Sequence, residues 1–117
     1  MHNFKELKVW KGGIELTKVI FQITRSFPAE ERYGLTSQIV RSAISIPSNI
    51  AEGCGRITNK DFKHFLTMAL GSSFELETQI IIAKDFNYIN EEELNNISTQ
   101  IVEIQKMIYG LQKSLSV

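Results

Sequence analysis

A chain of 117 residues, 43% hydrophobic and 22% charged, predicts one globular domain over residues 1–117 with its own core. Thirteen Lys/Arg balance thirteen Asp/Glu and the pI is near 6.7, which argues against a strong non-specific nucleic-acid binder, since such proteins are usually basic. The single cysteine, Cys54, excludes an internal disulfide, the N-terminus has no signal-peptide core, and no apolar run is long enough to span a membrane. We therefore expect a cytoplasmic protein.

The charges are unevenly distributed along the chain. Residues 1–63 carry ten Lys/Arg and six Asp/Glu, whereas residues 64–117 carry three and seven, so the two parts sum to +4 and −4. Two interpretations stay open. Either this is scatter together with an acidic helix start at Glu91–Glu93, or the first part presents a basic surface to an acidic partner.

The first helix is predicted over about residues 7–26. It ends before Pro28, because the residue that precedes a proline avoids the helical conformation. Its apolar residues form two neighbouring rows at helical spacing, which predicts a broad buried face. One row is Leu16, Ile20, Ile23 and Phe27, and the other is Trp10, Ile14, Phe21 and Thr24.

A second helix is predicted over about residues 35–53, and Gly53 and Gly55 mark its end, where a glycine takes the left-handed cap. Its apolar seam consists of Leu35, Ile39, Ala43, Ile46, Ile50 and Cys54.

Pro47 lies within this second helix, and the apolar period continues through it. A proline there frees the carbonyl of Ala43, so we expect it to kink the helix without ending it. Polar groups near a kink need partners, and Asn49 is predicted to satisfy the backbone groups that Pro47 frees.

Two further helices are predicted over about residues 59–87 and 91–115. Thr58 is the expected cap of the third helix, and Asn90 with Glu93 resembles a capping box at the start of the fourth. The main apolar row of the third helix is Phe62, Leu66, Ala69, Ser73, Leu76, Ile80 and Ala83. That of the fourth helix is Leu94, Ile97, Ile101, Ile104, Ile108, Leu111 and Leu115.

Four helices of about 20 residues joined by short loops predict the fold. We expect an all-α protein, an antiparallel up-down-up-down four-helix bundle whose second helix is kinked at Pro47.

A polar face on the second helix suggests a contact inside the protein. It consists of Ser37, Arg41, Ser45, Ser48 and Glu52. Eleven residues are about three helical turns, so Arg41 and Glu52 point in nearly the same direction. Glu75 lies in a mostly apolar row of the third helix, and we hypothesise that it pairs with Arg41, within one subunit or across an interface, because a charge inside a bundle needs a partner. The alternative is two independent exposed charges.

No catalytic, cofactor or metal site is predicted. Neither His2 nor His64 has zinc-ligand spacing to Cys54, and Asp61 with His64 is a single pair where a di-iron bundle needs more. A small enzyme that uses Cys54 as a nucleophile is a rival interpretation, but no base or third group accompanies the thiol.

Basic residues interleaved with aromatic ones predict a second kind of site. If the chain binds RNA, we expect phosphate contacts from the more basic half, so that binding weakens steeply with salt. The candidate residues are Lys8, Lys11, Arg32, Arg56, Lys60 and Lys63. The alternative is that aromatic residues at helical spacing belong to the core.

Three stretches carry a family resemblance: residues 27–41, the run Ser-Ile-Pro-Ser-Asn-Ile-Ala-Glu-Gly at residues 45–53, and residues 71–78, together with the opening at residues 4–10. They resemble the bacterial four-helix-bundle family of 23S rRNA intervening-sequence proteins. The resemblance implies a four-helix bundle assembled as a homopentameric ring. A similar fold occurs in the accessory protein of diversity-generating retroelements, a basic pentamer that binds nucleic acid, from which this chain departs because it is not basic.

These observations favour a non-enzymatic, cytoplasmic, homo-oligomeric bundle that is RNA-associated or acts as an adaptor. Its expected partners are copies of itself and an RNA or a nucleic-acid-handling protein. The alternative function is a protein–protein interaction scaffold with no nucleic-acid role.

Overall fold

The structure, a computed structural model, describes residues 3–115. The described chain contains four α-helices and no β-strand. They are α1 (Lys8–Thr24), α2 (Leu35–Cys54), α3 (Asn59–Asp85) and α4 (Glu91–Ser114), with short 3₁₀ turns at Phe4–Glu6 and Ala29–Glu31. The predicted all-α four-helix bundle is confirmed, and each helix end lies within two residues of its predicted place. Residues 1, 2, 116 and 117, including His2, lie outside the described part, and the single-domain assignment of residues 1–117 stays a prediction.

The helices form a four-sided bundle. Each helix packs against its neighbours in the chain and α1 closes against α4, whereas within residues 3–115 no Cα atom of α1 lies within 8 Å of α3 and none of α2 lies within 8 Å of α4. Gln105 Nε2 of α4 donates to the hydroxyl of Ser73 in α3, and Gln112 Nε2 donates to the hydroxyl of Thr67. The later residue of α4 thus pairs with the earlier residue of α3, so these two helices run in opposite directions. The complete up-down-up-down order and the kink at Pro47 stay predictions.

The start of α4 shows the predicted capping box. The Glu93 N–H donates to Asn90 Oδ1 at 2.8 Å, and the Asn90 N–H donates to Glu93 Oε1 at 2.9 Å. Thr58 caps α3 as predicted, because its hydroxyl oxygen accepts from the Asp61 N–H at 3.1 Å. Both caps satisfy N–H groups that have no partner within the helix, which fixes where α3 and α4 begin.

The end of α2 differs from the prediction. Gly55 has φ −82°, and no glycine of residues 3–115 adopts a positive φ, so the expected left-handed glycine cap is wrong. Gly53 instead lies inside α2, where a Cβ would come within 2.8 Å of Phe65 Cβ. This glycine is needed for close packing of α2 on α3.

The core runs along the centre of the bundle and consists mainly of isoleucine. The apolar row of α3 is buried throughout, and that of the fourth helix is buried except at Leu94 and Leu111, which are half-buried. The largest fully buried side chains are Leu16, Ile20, Ile39, Ile46, Ile50, Leu66, Leu76, Ile80, Ile97, Ile101, Ile104 and Ile108.

Thr24 is buried as expected, but the other three residues of the second apolar row of α1 are not. Phe21 is 45% exposed, and Trp10 and Ile14 are only half-buried. Among the four helices, α1 lies beside α2 and α4, and Trp10 and Ile14 line an apolar groove between α1 and α2.

Pro47 packs where α1 comes closest to α2. A Cβ on Gly13 would lie 3.2 Å from two carbons of the Pro47 ring. The Ala43 carbonyl, which Pro47 leaves without its helical donor, lies 3.3 Å from the hydroxyl of Thr17, whose single proton also has the Gly13 carbonyl at 2.7 Å. Asn49 does not reach that carbonyl, since its Nδ2 donates one turn back to the Ser45 carbonyl at 2.9 Å. The partner for the freed group therefore comes from α1.

Candidate nucleic-acid interface

One end of the bundle gathers most of the predicted phosphate contacts. The start of α1 meets the last third of α4 where Gly12 approaches Met107, and α3 begins beside the end of α2 where Gly53 approaches Phe62. We call the half of the bundle built from residues 3–16, 45–70 and 103–115 the basic end. Five of the six candidate residues lie on it, and they are Lys8, Lys11, Arg56, Lys60 and Lys63.

The charges of the chain separate along the bundle axis. The basic end carries eight Lys/Arg and five Asp/Glu, whereas the remaining half, residues 17–44 and 71–102, carries five and eight. The acidic residues Glu91–Glu93 lie in the first turn of α4, at the opposite end from the basic cluster. A protein with no net charge therefore has two ends of opposite sign, which a whole-chain charge does not reveal.

The centre of the basic end is a surface groove between α3 and α4. Lys60 and Lys63 lie on one side of it, and Tyr109 and Lys113 lie on the other. His64 lies in the same groove. Sequence reasoning missed Lys113 and Tyr109, because the second part of the chain sums to −4. The predicted antiparallel order of helices could have identified both residues, because it places the end of α4 beside the start of α3.

Arg56 lies at the corner between α2 and α3, beside Phe65 and Glu52. Its guanidinium carbon lies 4.5 Å from the centre of the Phe65 ring, and its Nη2 lies 3.4 Å from Glu52 Oε1. Because both charged groups are about half exposed, this ion pair contributes little stability. A cation stacked on a ring at a corner is well placed to contact a phosphate or a base.

Arg32 does not belong to this cluster. It lies at the opposite end, in the connection between α1 and α2, where its guanidinium carbon stands 5.5 Å from the centre of the exposed Tyr33 ring. Glu30 and Glu31 precede it in the chain. A single surface cannot include Arg32 and the five residues of the basic end within one subunit.

Arg41 and Glu75 line the same cavity between α2 and α3, but their charged atoms are not within 4.0 Å of each other in the described chain. Both side chains are exposed. Glu52, the third member of the predicted network, does not line this cavity and lies beside Arg56. Pairing of Arg41 with Glu75 across an interface stays a prediction.

Cys54 is buried at the end of α2. Burial raises the pKa of its thiol, which disfavours the thiolate that a nucleophile or a metal ligand requires. Within residues 3–115, no group of three or more His, Cys, Asp or Glu side chains is placed to hold a metal ion.

No helix within residues 3–115 is both long and apolar enough to cross a bilayer.

Comparison with known proteins identifies the family. Residues 5–110 match the family profile described as 23S rRNA-intervening sequence protein. A solved structure from Bacteroides thetaiotaomicron VPI-5482, a protein with unknown function from the S23 ribosomal protein family, superimposes with a TM-score of 0.83 at 26% identity, covering 91% of this chain and 99% of that chain. No curated protein matches the chain. Because the profile covers nearly all of the sequence, the chain belongs to the 23S rRNA-intervening sequence protein family.

Proposed function

We propose that this protein is a non-enzymatic, homo-oligomeric, RNA-associated adaptor of the cytoplasm, and that its basic end holds the phosphate backbone of the RNA. The observation that carries the proposal is the gathering of Lys8, Lys11, Arg56, Lys60 and Lys63 with Lys113 at one end of a protein that has no net charge. Phosphate neutralisation supplies most of the affinity of non-specific RNA binding, so local charge matters more than total charge.

The chemistry of the groove favours an RNA over an acidic protein. Tyr109 is 52% exposed beside Lys113, and Phe65 stacks with Arg56 at the adjacent corner. Rings next to cations offer stacking for unpaired bases together with contacts for phosphates. We infer binding of unpaired or looped RNA segments, since only splayed bases reach such rings.

Charge reversal with a matched control tests the proposal. Lys60→Glu with Lys63→Glu changes the net charge by −4 at the basic end, and Arg25→Glu with Arg32→Glu makes the same change at the opposite end. We expect the first pair to weaken binding of a ribosomal RNA fragment at low salt by about 10- to 100-fold and the second pair to weaken it by less than about threefold. Equal losses would refute a localised RNA contact, because they would reflect total charge alone.

The oligomer is supported by two apolar surfaces on different sides of the bundle. One is the groove between α1 and α2, which Trp10, Ile14 and Ile44 line. The other is the outer face of α3, where Phe74 and Ile81 are 45% and 48% exposed. Two unlike surfaces on one subunit can make head-to-tail contacts, which form a ring when the rotation between successive subunits closes.

We propose the homopentamer that the family resemblance implies. Sedimentation velocity should give five times the chain mass of 13.3 kDa for the wild type, and Phe74→Glu should reduce it. A monomer at micromolar concentration would contradict the ring.

The second candidate function is a protein–protein scaffold with no nucleic-acid role. It is favoured by apolar side chains that stand outside the core and outside the basic end, such as Tyr33 at 88% and Phe86 at 65% exposure. Exposed apolar patches of this kind are typical of protein-binding surfaces. The two functions separate in one experiment, because a scaffold fails to bind RNA at low salt whereas an RNA-associated adaptor binds it.

A further inference from the structure

A cavity between α2 and α3 is lined by polar side chains alone. Its volume is about 240 Å³, and its lining residues are Gln38, Arg41, Ser42, Ser45, Glu75 and Gln79. None of the basic-end candidates lines it, so it is separate from the proposed RNA contact. No aromatic or aliphatic side chain contributes, which distinguishes it from pockets for nucleobases or lipids.

The polar groups of this cavity are not paired with one another. Among the described residues, the chain offers no hydrogen bond or ion pair to any of the six side chains. Gln79 is only 8% exposed, and its Oε1 is buried without a hydrogen-bond partner. Ser42, at 5% exposure, lies beside it in the lining.

Other polar side chains inside the bundle are paired. The Ser73 hydroxyl donates to the Leu70 carbonyl at 2.6 Å, and Gln105 Nε2 donates to Ser73 Oγ at 3.2 Å and to Glu77 Oε1 at 3.1 Å. Nearly all buried polar groups in proteins are hydrogen-bonded. The exposed Arg41 and Glu75 have water as a partner, whereas the buried Oε1 of Gln79 needs a partner that this chain's own fold does not supply.

The chemistry of the lining defines that partner. Arg41 carries a permanent positive charge and only donates, so it takes a carboxylate. Glu75 and the Oε1 of Gln79 only accept, so they take N–H groups. The volume equals that of about eight waters at roughly 30 Å³ each, which suits a molecule the size of an amino acid.

We propose that this cavity binds a zwitterionic small molecule of the free amino acid class. Its carboxylate lies on Arg41 and its ammonium group lies on Glu75, next to the amide of Gln79, whose Oε1 has to turn toward the cavity to accept a hydrogen bond from it. Ser42 and Ser45 donate to or accept from the remaining polar atoms. The site acts independently of the basic end, so its failure leaves the RNA proposal untouched.

Calorimetric titration of the full-length protein tests the site. The probes are glycine, L-serine, L-glutamine and L-leucine, with propionate as a carboxylate-only control, ethylamine as an ammonium-only control, and guanosine for a nucleobase. We expect at least one amino acid to bind once per chain with a Kd below about 10 mM, and both single-charge probes to bind at least about tenfold more weakly. The proposal is overturned if no amino acid binds, or if a single-charge probe or guanosine binds as tightly.

Variants locate the binding. Arg41→Gln, Glu75→Gln and Gln79→Met should each weaken the amino acid by about tenfold or more, because each removes a charged or buried hydrogen-bonding group. Gln79→Met keeps the volume and removes an unpaired acceptor, so its melting temperature should not fall. Glu77→Gln is the matched control on α3, outside the cavity, and should bind as the wild type does. Unchanged binding in the three variants would overturn the proposal, and a changed oligomer mass in them would then place a second copy of the chain on this face.

Discussion

Replacing Gly53 with alanine should destabilise the bundle, although the same substitution raises helix propensity. Gly53 is buried inside the end of α2, where α3 crosses closely. An added Cβ would lie 2.8 Å from the Cβ of Phe65 and 2.9 Å from the Cδ1 of Phe62. The first of these atoms is fixed to the backbone of α3, so a side-chain rotation cannot relieve the contact.

The magnitude follows from the geometry. Carbon atoms in contact prefer about 3.5–4.0 Å, so α2 and α3 must separate by about 1 Å at this point. Overpacking of this kind costs about 1–3 kcal/mol, and the gain in helix propensity from glycine to alanine offsets less than about 1 kcal/mol near a helix end. We expect a net loss of about 1–2 kcal/mol, which lowers the Tm of a domain this size by about 4–8 °C.

Gly71 supplies the matched control. It lies within α3 and a Cβ there would meet no atom within 4 Å. Gly71→Ala should therefore stabilise the protein by about 0.5–1 kcal/mol and raise the Tm. Both variants are measured by thermal and urea unfolding at one protein concentration, because association makes the Tm concentration-dependent. If Gly53→Ala melts at or above the wild-type temperature, the close packing of α2 on α3 is refuted.

Three further predictions concern helix ends and ionisable groups. Asn90→Ala removes the capping box with Glu93 and should cost about 1 kcal/mol, measured by urea unfolding; an unchanged midpoint would contradict the cap. Because burial raises the pKa of the Cys54 thiol, a disulfide reagent should label it far more slowly than free cysteine at pH about 8 and rapidly once the chain is unfolded. The hydrogen bond from Tyr88 Oη to Glu31 Oε2, 2.8 Å long, raises the pKa of Tyr88 above its usual value of about 10. Its stabilising contribution is therefore complete below pH about 10 and lost as the pH rises through the raised pKa, so Tyr88→Phe should show a smaller alkaline fall in Tm than the wild type.

Local sequence patterns predicted the helices because their causes are local. In α4, apolar residues at steps of three and four define the buried seam, and Asn90 with Glu93 fixes the start through a hydrogen bond between residues three apart. Thr58 does the same for α3. Nothing beyond one or two helical turns is needed to predict such features.

Contacts between helices could not be predicted from the sequence. Gly53 was interpreted as part of a helix cap, whereas Gly53 and Gly13 each allow a neighbouring helix to approach closely. The partner of the Ala43 carbonyl was assigned to nearby Asn49 but lies in α1, at Thr17. Which side chains meet depends on which helix faces pack together, and a helical period does not specify that.

In the candidate sites, too, local features were predicted from the sequence and contacts between helices were not. The sequence-based prediction took its basic residues from the first part of the chain, so it included Arg32 and omitted Lys113. The reason is that charges were summed along the chain, whereas the structure separates them along the bundle axis. The sequence places Glu75 in a mostly apolar row of the third helix, which indicated that this position is unusual. Only the packing of α2 on α3 brought Ser42 and Arg41 to the same cavity.

The salt dependence of RNA binding tests the central claim most directly. The affinity of the wild type and of a Lys60→Gln, Lys63→Gln variant for a structured ribosomal RNA fragment and for an unrelated RNA is measured across a salt series. Loss of two phosphate contacts should reduce the slope of log K against log salt by about 1.5. An equal slope in the two proteins, or no binding by the wild type at low salt, would contradict an RNA contact at the basic end.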